Sequence, residues 1–187
     1  MPIPRENTLI SSDDYLEGEK HSEIKHEYIA GHVYAMVGTS VAHNRITVNL
    51  ASALNVHLRG SPCRVFMADL KVRVEKADVF YYPDIVVSCQ NADIQPSAHY
   101  IAYPTLIIEV LSPSTERLDR EEKLHNYQTL ESLQEYLLVA QEKMEVQAYR
   151  RTPSGWEAET YSQGDQLKLS AVGLELPIES IYLEVWE

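Results

Sequence analysis

The sequence predicts a mixed α/β (α+β) fold in a single domain over residues 1–187. Three observations carry that expectation. Two runs, 79–87 and 105–111, are almost wholly apolar and of strand length, as strands deep inside a sheet are. Residues 42–58 repeat Ile46, Leu50, Leu54 and Leu58 at every fourth position, the stripe of an amphipathic helix. KHEYIAGHVYAM places Ala30-Gly31 between two aliphatic and aromatic segments, the pattern of a β-hairpin. A chain of 187 residues, 44% hydrophobic and 24% charged, is large enough for one sizeable core.

Residues 1–11 read as a loose lead-in. Ser12 is placed to cap a short helix over 13–20, with Asp13 and Asp14 in its first turn. The hairpin pairs 25–30 with 32–37, and Gly38-Thr39-Ser40 breaks the pattern before the helix over 42–58. Gly60-Ser61-Pro62 ends that helix. A short strand follows at 64–67. In 70–75, Leu70, Val72 and Val74 alternate with Lys71, Arg73 and Glu75, giving a half-buried strand with a basic outer face. After a turn at 76–78, the run 79–87 reads as one strand. Residues 88–104 are polar, contain Pro96 and Pro104, and form a long loop of the kind that carries function. The strand 105–111 gives way to Ser112-Pro113-Ser114-Thr115, which caps a helix running to about residue 133. Strands at 135–140 and 144–150 form a hairpin, and another strand follows at 156–161. Apolar residues near period two continue from 166, and the apolar stretch 181–186 lies close to the end.

The formal net charge of −12 argues against a protein coated in positive potential for duplex DNA. The charge is uneven. Residues 43–76 hold six bases against two acids, and residues 128–187 hold four bases against eleven acids. The basic flank either orients a polyanion or is an ordinary solvated surface. The acidic first thirty residues contain no apolar run of signal-peptide length, and no segment approaches the ~20 apolar residues of a membrane span. Cys63 and Cys89 offer one pair and no metal-ligand spacing, so a cytoplasmic protein with reduced thiols is expected.

The chemistry concentrates between Tyr81 and Tyr127. Asp84 in YYPDIVVS and Glu109 in PTLIIEVLSPST are lone acids in apolar runs. A buried carboxylate is costly unless paired, protonated or bound to a metal. If the two strands are neighbours, both acids reach one edge of the sheet. Two such charges about 4 Å apart repel by roughly 4 kcal/mol at an effective dielectric of about 20, a penalty that a divalent cation removes. Magnesium suits one or two carboxylates with waters and phosphate oxygens. Asp119, Lys123 and Tyr127 fall at i, i+4 and i+8 on the following helix. There a lysine can orient a water or neutralise developing charge, or it forms an ordinary exposed ion pair with Asp119.

PDIVVS, PTLIIEVLSPST and the D-x-x-x-K-x-x-x-Y of Asp119–Tyr127 resemble the PD-(D/E)XK nuclease superfamily. More closely, they resemble a bacterial restriction-endonuclease family first catalogued as a domain of unknown function. HEYIAGHVYAM, AHNRITVNLASAL and EYLLVAQEKMEVQAYR extend the resemblance over about residues 15–150. The resemblance implies a restriction-endonuclease-like fold, with a central mixed β-sheet flanked by helices and an N-terminal β-hairpin. It also implies a Mg2+ (or Mn2+) dependent endonuclease acting on DNA. Asp84 and Glu109 would be the catalytic and metal-binding acids, with the Val110 carbonyl a further ligand. Leu111 stands where the superfamily's catalytic lysine, two residues after the glutamate, is expected. The resemblance implies that the following helix can supply it, with Lys123 the matching candidate. Glu27 in the hairpin, Asp69 and Tyr127 are possible accessory residues. His43 falls at the start of the matching helix, where contact with backbone or sheet is expected. Cutting both strands of a duplex suggests a homodimer, and no membrane partner is expected. The alternatives are a catalytically inactive relative serving as a binding or regulatory module, and a structural protein whose buried acids are satisfied internally.

Overall fold

The computed structural model describes residues 9–36 and 38–186. Most of the expected lead-in and Val37, the last residue of the expected second hairpin strand, lie outside the described residues. Helix α1 (Ser12–Glu19) starts one residue earlier than expected. Ser11, not Ser12, is extended and accepts the Asp14 N–H. Strands β1 (His26–Ile29) and β2 (His32–Ala35) form the predicted hairpin. Ala30 and Gly31 both take positive φ, 46° and 92°, as a two-residue turn matched to strand twist requires. Ser40 caps helix α2 (Val41–His57) by accepting the His43 N–H.

The run 79–87 is not one strand. It divides into β5 (Val79–Tyr81) and β6 (Ile85–Ser88), which enter different sheets. Pro83 has no N–H to donate to a ladder, so pairing stops at Tyr82-Pro83-Asp84 and the chain crosses between layers there. Strand β5 lies between β1 and β4 (Lys71–Val74) in a five-stranded sheet ordered β2-β1-β5-β4-β7, with β7 at Tyr100–Ile101. Strand β6 lies between β3 (Arg64–Met67) and β8 (Pro104–Val110) in the second sheet. That sheet continues through β9 (Glu135–Val139), β10 (Glu145–Thr152) and β11 (Gly155–Ser162). It is mixed, because β8 and β9 run parallel and its other pairs are antiparallel.

One face of the second sheet packs under Ile46, Leu50 and Leu54 of α2, using Ile85, Val87, Leu106, Ile108 and Val110. The hairpin of β12 (Gln166–Leu169) and β13 (Leu174–Pro177), with the short helix α5 (Ile178–Ile181), joins that side. The opposite face packs Val86, Ile107, Leu111 and Leu138 against Val72, Val79 and Tyr81 of the first sheet. Tyr15 of α1 closes the outer side of the first sheet against Tyr28 and Phe80.

The helix expected over 116–133 is shorter and not uniform. It comprises α3 (Glu116–Leu118), a π-helical segment (Asp119–Lys123) and α4 (Leu124–Gln128). Arg151 collects the carbonyls of Gln128, Leu130 and Leu133, satisfying the chain beyond the helix end. The long loop is not loose either. Asp93 is buried and accepts from Ser88 Oγ and from the Ala102 and Tyr103 amides.

Cys63 and Cys89 flank the paired residues Arg64 and Ser88 and form a disulfide. The expectation of reduced thiols is therefore corrected, and with it the cysteine argument for a reducing compartment. The adjacency arises because β3 and β6 are sheet neighbours although 26 residues separate the cysteines. Among the described residues no helix is long and apolar enough to cross a membrane.

Candidate active site

The register of β6 against β8 pairs Ile85 with Ile108, which brings Asp84 opposite Glu109 at one end of the strand pair. The Asp84 N–H donates to Glu109 Oε2 (3.3 Å), and the Val110 N–H donates to Asp84 Oδ2 (2.7 Å). Two acids remote in sequence are thus locked together by backbone donors. Alternation along β8 turns Leu106, Ile108 and Val110 toward α2 and Glu109 toward the other layer. Leu111 shares that inner side but is buried in the apolar core beside Tyr127 and Tyr136.

The lysine comes from the π-helical segment. Lys123 Nζ lies 3.2 Å from Glu109 Oε1, 3.2 Å from Glu27 Oε1 and 3.1 Å from Asp119 Oδ1. The wider i→i+5 winding, a form often found at functional sites, keeps Asp119 and Lys123 both directed inward. Tyr127, one turn later in α4, donates to Glu109 Oε1 (3.3 Å). Glu27 is fixed in turn by the Tyr82 N–H (3.1 Å). His43, in the first turn of α2, places Nε2 3.2 Å from Asp84 Oδ2, while its Nδ1 is buried without a partner.

Three carboxylates (Glu27, Glu109, Asp119) therefore surround one ammonium, and Asp84 lies against Glu109 beside them. Burial pushes the Glu109 carboxyl up. The Lys123 charge opposes this, but Asp119, Asp84 and Glu27 add to it, and Glu109 stays well above the ordinary carboxylate range. Burial alone would discharge Lys123, but Glu109, Glu27 and Asp119 outweigh it and hold the ammonium well above the usual lysine range. These directions are compatible, because one cation shared among several buried acids stays charged while the acids compete for protons. Burial, and then Glu109, also push the Tyr127 phenol up, so it stays a donor.

These groups line a cleft of about 490 Å3, walled by Tyr34 and Met36 on one side and Ser112, Ser114 and Thr115 on another. Glu27, Asp84, Glu109, Val110 and Lys123 all reach it. Tyr127 acts from behind, through Glu109. Asp69 does not join them. Its side chain is exposed, pairs with Lys25 and belongs to a separate pocket that shares only Tyr82 with the cleft. Val110 holds Asp84 through its N–H. The sequence alone puts His43 against backbone or sheet and does not assign Asp119 to the site. The D-x-x-x-K spacing was the available signal for Asp119, whereas the approach of His43 to Asp84 depends on how α2 crosses the sheet.

Among the described residues no three His, Cys, Asp or Glu side chains converge as a ready-made metal cluster. Asp84 and Glu109, facing each other at the strand ends and both lining the cleft, are the pair that could hold a cation. Two hard carboxylate oxygens fit Mg2+ or Mn2+, which take one or two carboxylates and fill the remaining positions with water and substrate oxygens.

A mixed sheet flanked by helices, with paired acids at adjacent strand ends and a lysine against them, defines a restriction-endonuclease-like fold. The chain belongs to the Uma2 family, described as "Putative restriction endonuclease", whose model matches residues 12–179. It is 37% identical over 182 residues to the uncharacterized protein slr1290 of Synechocystis, covering 97% of this chain and 93% of that protein. It is also 29% identical over 152 residues to the uncharacterized Synechocystis protein sll1609, covering 81% and 86%. The crystal structure of a "putative nuclease belonging to DUF820" from Anabaena variabilis superposes with a TM-score of 0.75. That match has 21% identity and covers 92% of this chain and 97% of the other, and it establishes the shared fold.

Proposed function

We propose that the protein is a nuclease that hydrolyses phosphodiester bonds of DNA with Mg2+ or Mn2+, acting as a homodimer where both strands are cut. The observation that carries the reading is the Lys123 ammonium 3.2 Å from Glu109 in the cleft, supplied from the helix where the usual E-x-K lysine is absent. Asp84 and Glu109, with the Val110 carbonyl, would hold the cation. When bound, it would polarise a phosphoryl oxygen and lower the pKa of a water. Lys123 is held charged, so it acts as a fixed positive group for the charge that develops on the phosphoryl oxygens, not as a base. Glu27 and Asp119 hold that ammonium in place. His43 and the Val110 N–H fix the orientation of Asp84, and Tyr127 fixes that of Glu109.

A second reading is a catalytically inactive binding or regulatory module, favoured by the net charge of −12. The test is incubation of wild type, Asp84→Asn and Lys123→Met with supercoiled, linear and single-stranded DNA plus Mg2+ or Mn2+, beside thermal melts with each metal. The nuclease reading expects metal-dependent cleavage and a metal-dependent rise in melting temperature, both lost in Asp84→Asn. Cleavage that survives Asp84→Asn, or no cleavage of any substrate, sinks it. A metal-induced rise without cleavage supports the inactive module.

A further inference from the structure

Two tyrosines line the cleft, and their situations differ. Tyr82 is buried and gives its hydroxyl to Glu19. Other buried tyrosines are likewise committed, Tyr127 to Glu109 and Tyr136 to the Asp119 carbonyl. Tyr34 is 53% exposed, and its hydroxyl has no partner among the described residues. Its place is nevertheless well defined. It sits in β2 directly across from Glu27, and the pleat puts both side chains on one face. Glu27 holds Lys123, so Tyr34 stands on the wall above the lysine. Met36, two residues on, also lines the cleft and is 38% exposed. The hairpin is tied into the sheet, because β1 also pairs with β5 on its other side. Strand β2 is the edge of its sheet, which leaves space beside the ring.

Charge gives the ring its purpose. The cleft holds four carboxylates and the chain carries −12, so phosphate attraction supplies little of the affinity. A non-ionic contact must supply it, and aromatic stacking on a base does so without reading sequence. A base within a duplex has both faces covered by its neighbours, so only an unpaired, unstacked base can offer one to a ring. We propose that Tyr34, backed by Met36, is the stacking platform for the nucleobase beside the scissile phosphate, so that the cleft selects an unpaired nucleotide over a duplex. This rests on the nuclease reading above.

The test uses the full chain in EDTA, which prevents metal-dependent cutting, and a single-stranded oligonucleotide carrying 2-aminopurine. Fluorescence and anisotropy are followed for wild type, Tyr34→Phe, Tyr34→Trp, Tyr34→Ala and Tyr103→Ala. Tyr103 is 52% exposed and lies away from the cleft, so its variant is the control. Wild type should quench 2-aminopurine and bind single strands more tightly than the matching duplex. Tyr34→Ala should lose the quench and bind about 5- to 150-fold more weakly. Tyr34→Phe, Tyr34→Trp and Tyr103→Ala should behave as wild type. Unchanged quench and affinity in Tyr34→Ala, or equal weakening toward single strands and duplex, overturns the platform while leaving the nuclease reading intact. If wild type neither binds these oligonucleotides nor cuts DNA with added metal, the nuclease reading fails and the platform falls with it.

Discussion

Replacing Lys123 by methionine keeps much of the side-chain length and removes the positive charge that Glu27, Glu109 and Asp119 share. Each of the three carboxylates lies within 3.2 Å of the ammonium, and Glu109 and Asp119 are almost fully buried, so water cannot take its place. Removing one partner of a buried ion pair costs about 3–5 kcal/mol. At roughly 2–4 °C per kcal/mol for a chain of this size, the midpoint of unfolding should fall by about 6–20 °C at pH 8. The pH dependence follows from the direction of each shift. Lys123 titrates higher in the folded protein than unfolded, so its contribution is fully present below the ordinary lysine pKa and is lost only as pH rises through the folded value. It is therefore intact in wild type at pH 8. In the variant the cost lies with the carboxylates, above all Glu109, whose folded pKa burial has already raised. As pH falls through that raised value Glu109 takes a proton and the cost fades. The gap between wild type and Lys123→Met should be widest at pH 8 and narrow toward pH 5. Thermal melts in EDTA between those limits measure it, with Lys123→Arg as a charge-retaining control. A gap under about 2 °C at pH 8, or one that does not change with pH, refutes the reasoning.

Ala30 holds φ at 46°, a conformation that costs an L-residue about 1–2 kcal/mol, part of which glycine returns as unfolded-state entropy. Ala30→Gly should therefore raise the melting temperature by about 2–4 °C, and a fall would show that the turn is not strained. Arg150 Nε lies 2.6 Å from the fully buried Glu135, and the same guanidinium donates to Tyr161 Oη (2.8 Å) and the Lys168 carbonyl (2.6 Å). Arg150→Met should cost about 3–5 kcal/mol and speed hydrogen exchange in β12 and β13 before the rest of the fold; uniform exchange would argue against a local clamp. The disulfide closes a 26-residue separation, worth about 3 kcal/mol as constraint on the unfolded chain. Reductant should lower the midpoint by about 6–12 °C in wild type and leave Cys63→Ser unmoved, whereas an equal response in both would exclude the disulfide as its source.

Much of the fold could be read along the chain, because it depends on local periodicity. The stripe through Ile46, Leu50 and Leu54 fixed the position of α2, and Ala30-Gly31 located the hairpin turn to the residue. The break within 79–87 is not legible from the apolar run, although Pro83 falls inside it. Apolarity alone does not say whether a run lies in one sheet or passes between two, and only the pairing of β5 with β1 and of β6 with β8 separates them. The irregularity of the helix is illegible in the sequence for a related reason. Residues 116–133 have ordinary helical content, and the π-helical segment and early stop reflect Lys123 turned toward Glu109 and Arg151 holding the carbonyls beyond Gln128.

For the site, the sequence by itself determined which residues could bear charge in an apolar setting: Asp84, Glu109, and the Asp119–Lys123–Tyr127 spacing. A lone acid in a buried strand is conspicuous because burying it is costly. The tertiary structure alone decided which acids meet. Strand register set Asp84 against Glu109, the layering of two sheets brought Glu27 to the same lysine, and the crossing of α2 brought His43 to Asp84. The same geometry excluded Asp69, which resembles the others in sequence but points into another pocket. Burial cost is a property of each residue and its neighbours in sequence. Convergence depends on strand register and layer packing, which are set by contacts between segments far apart in the chain.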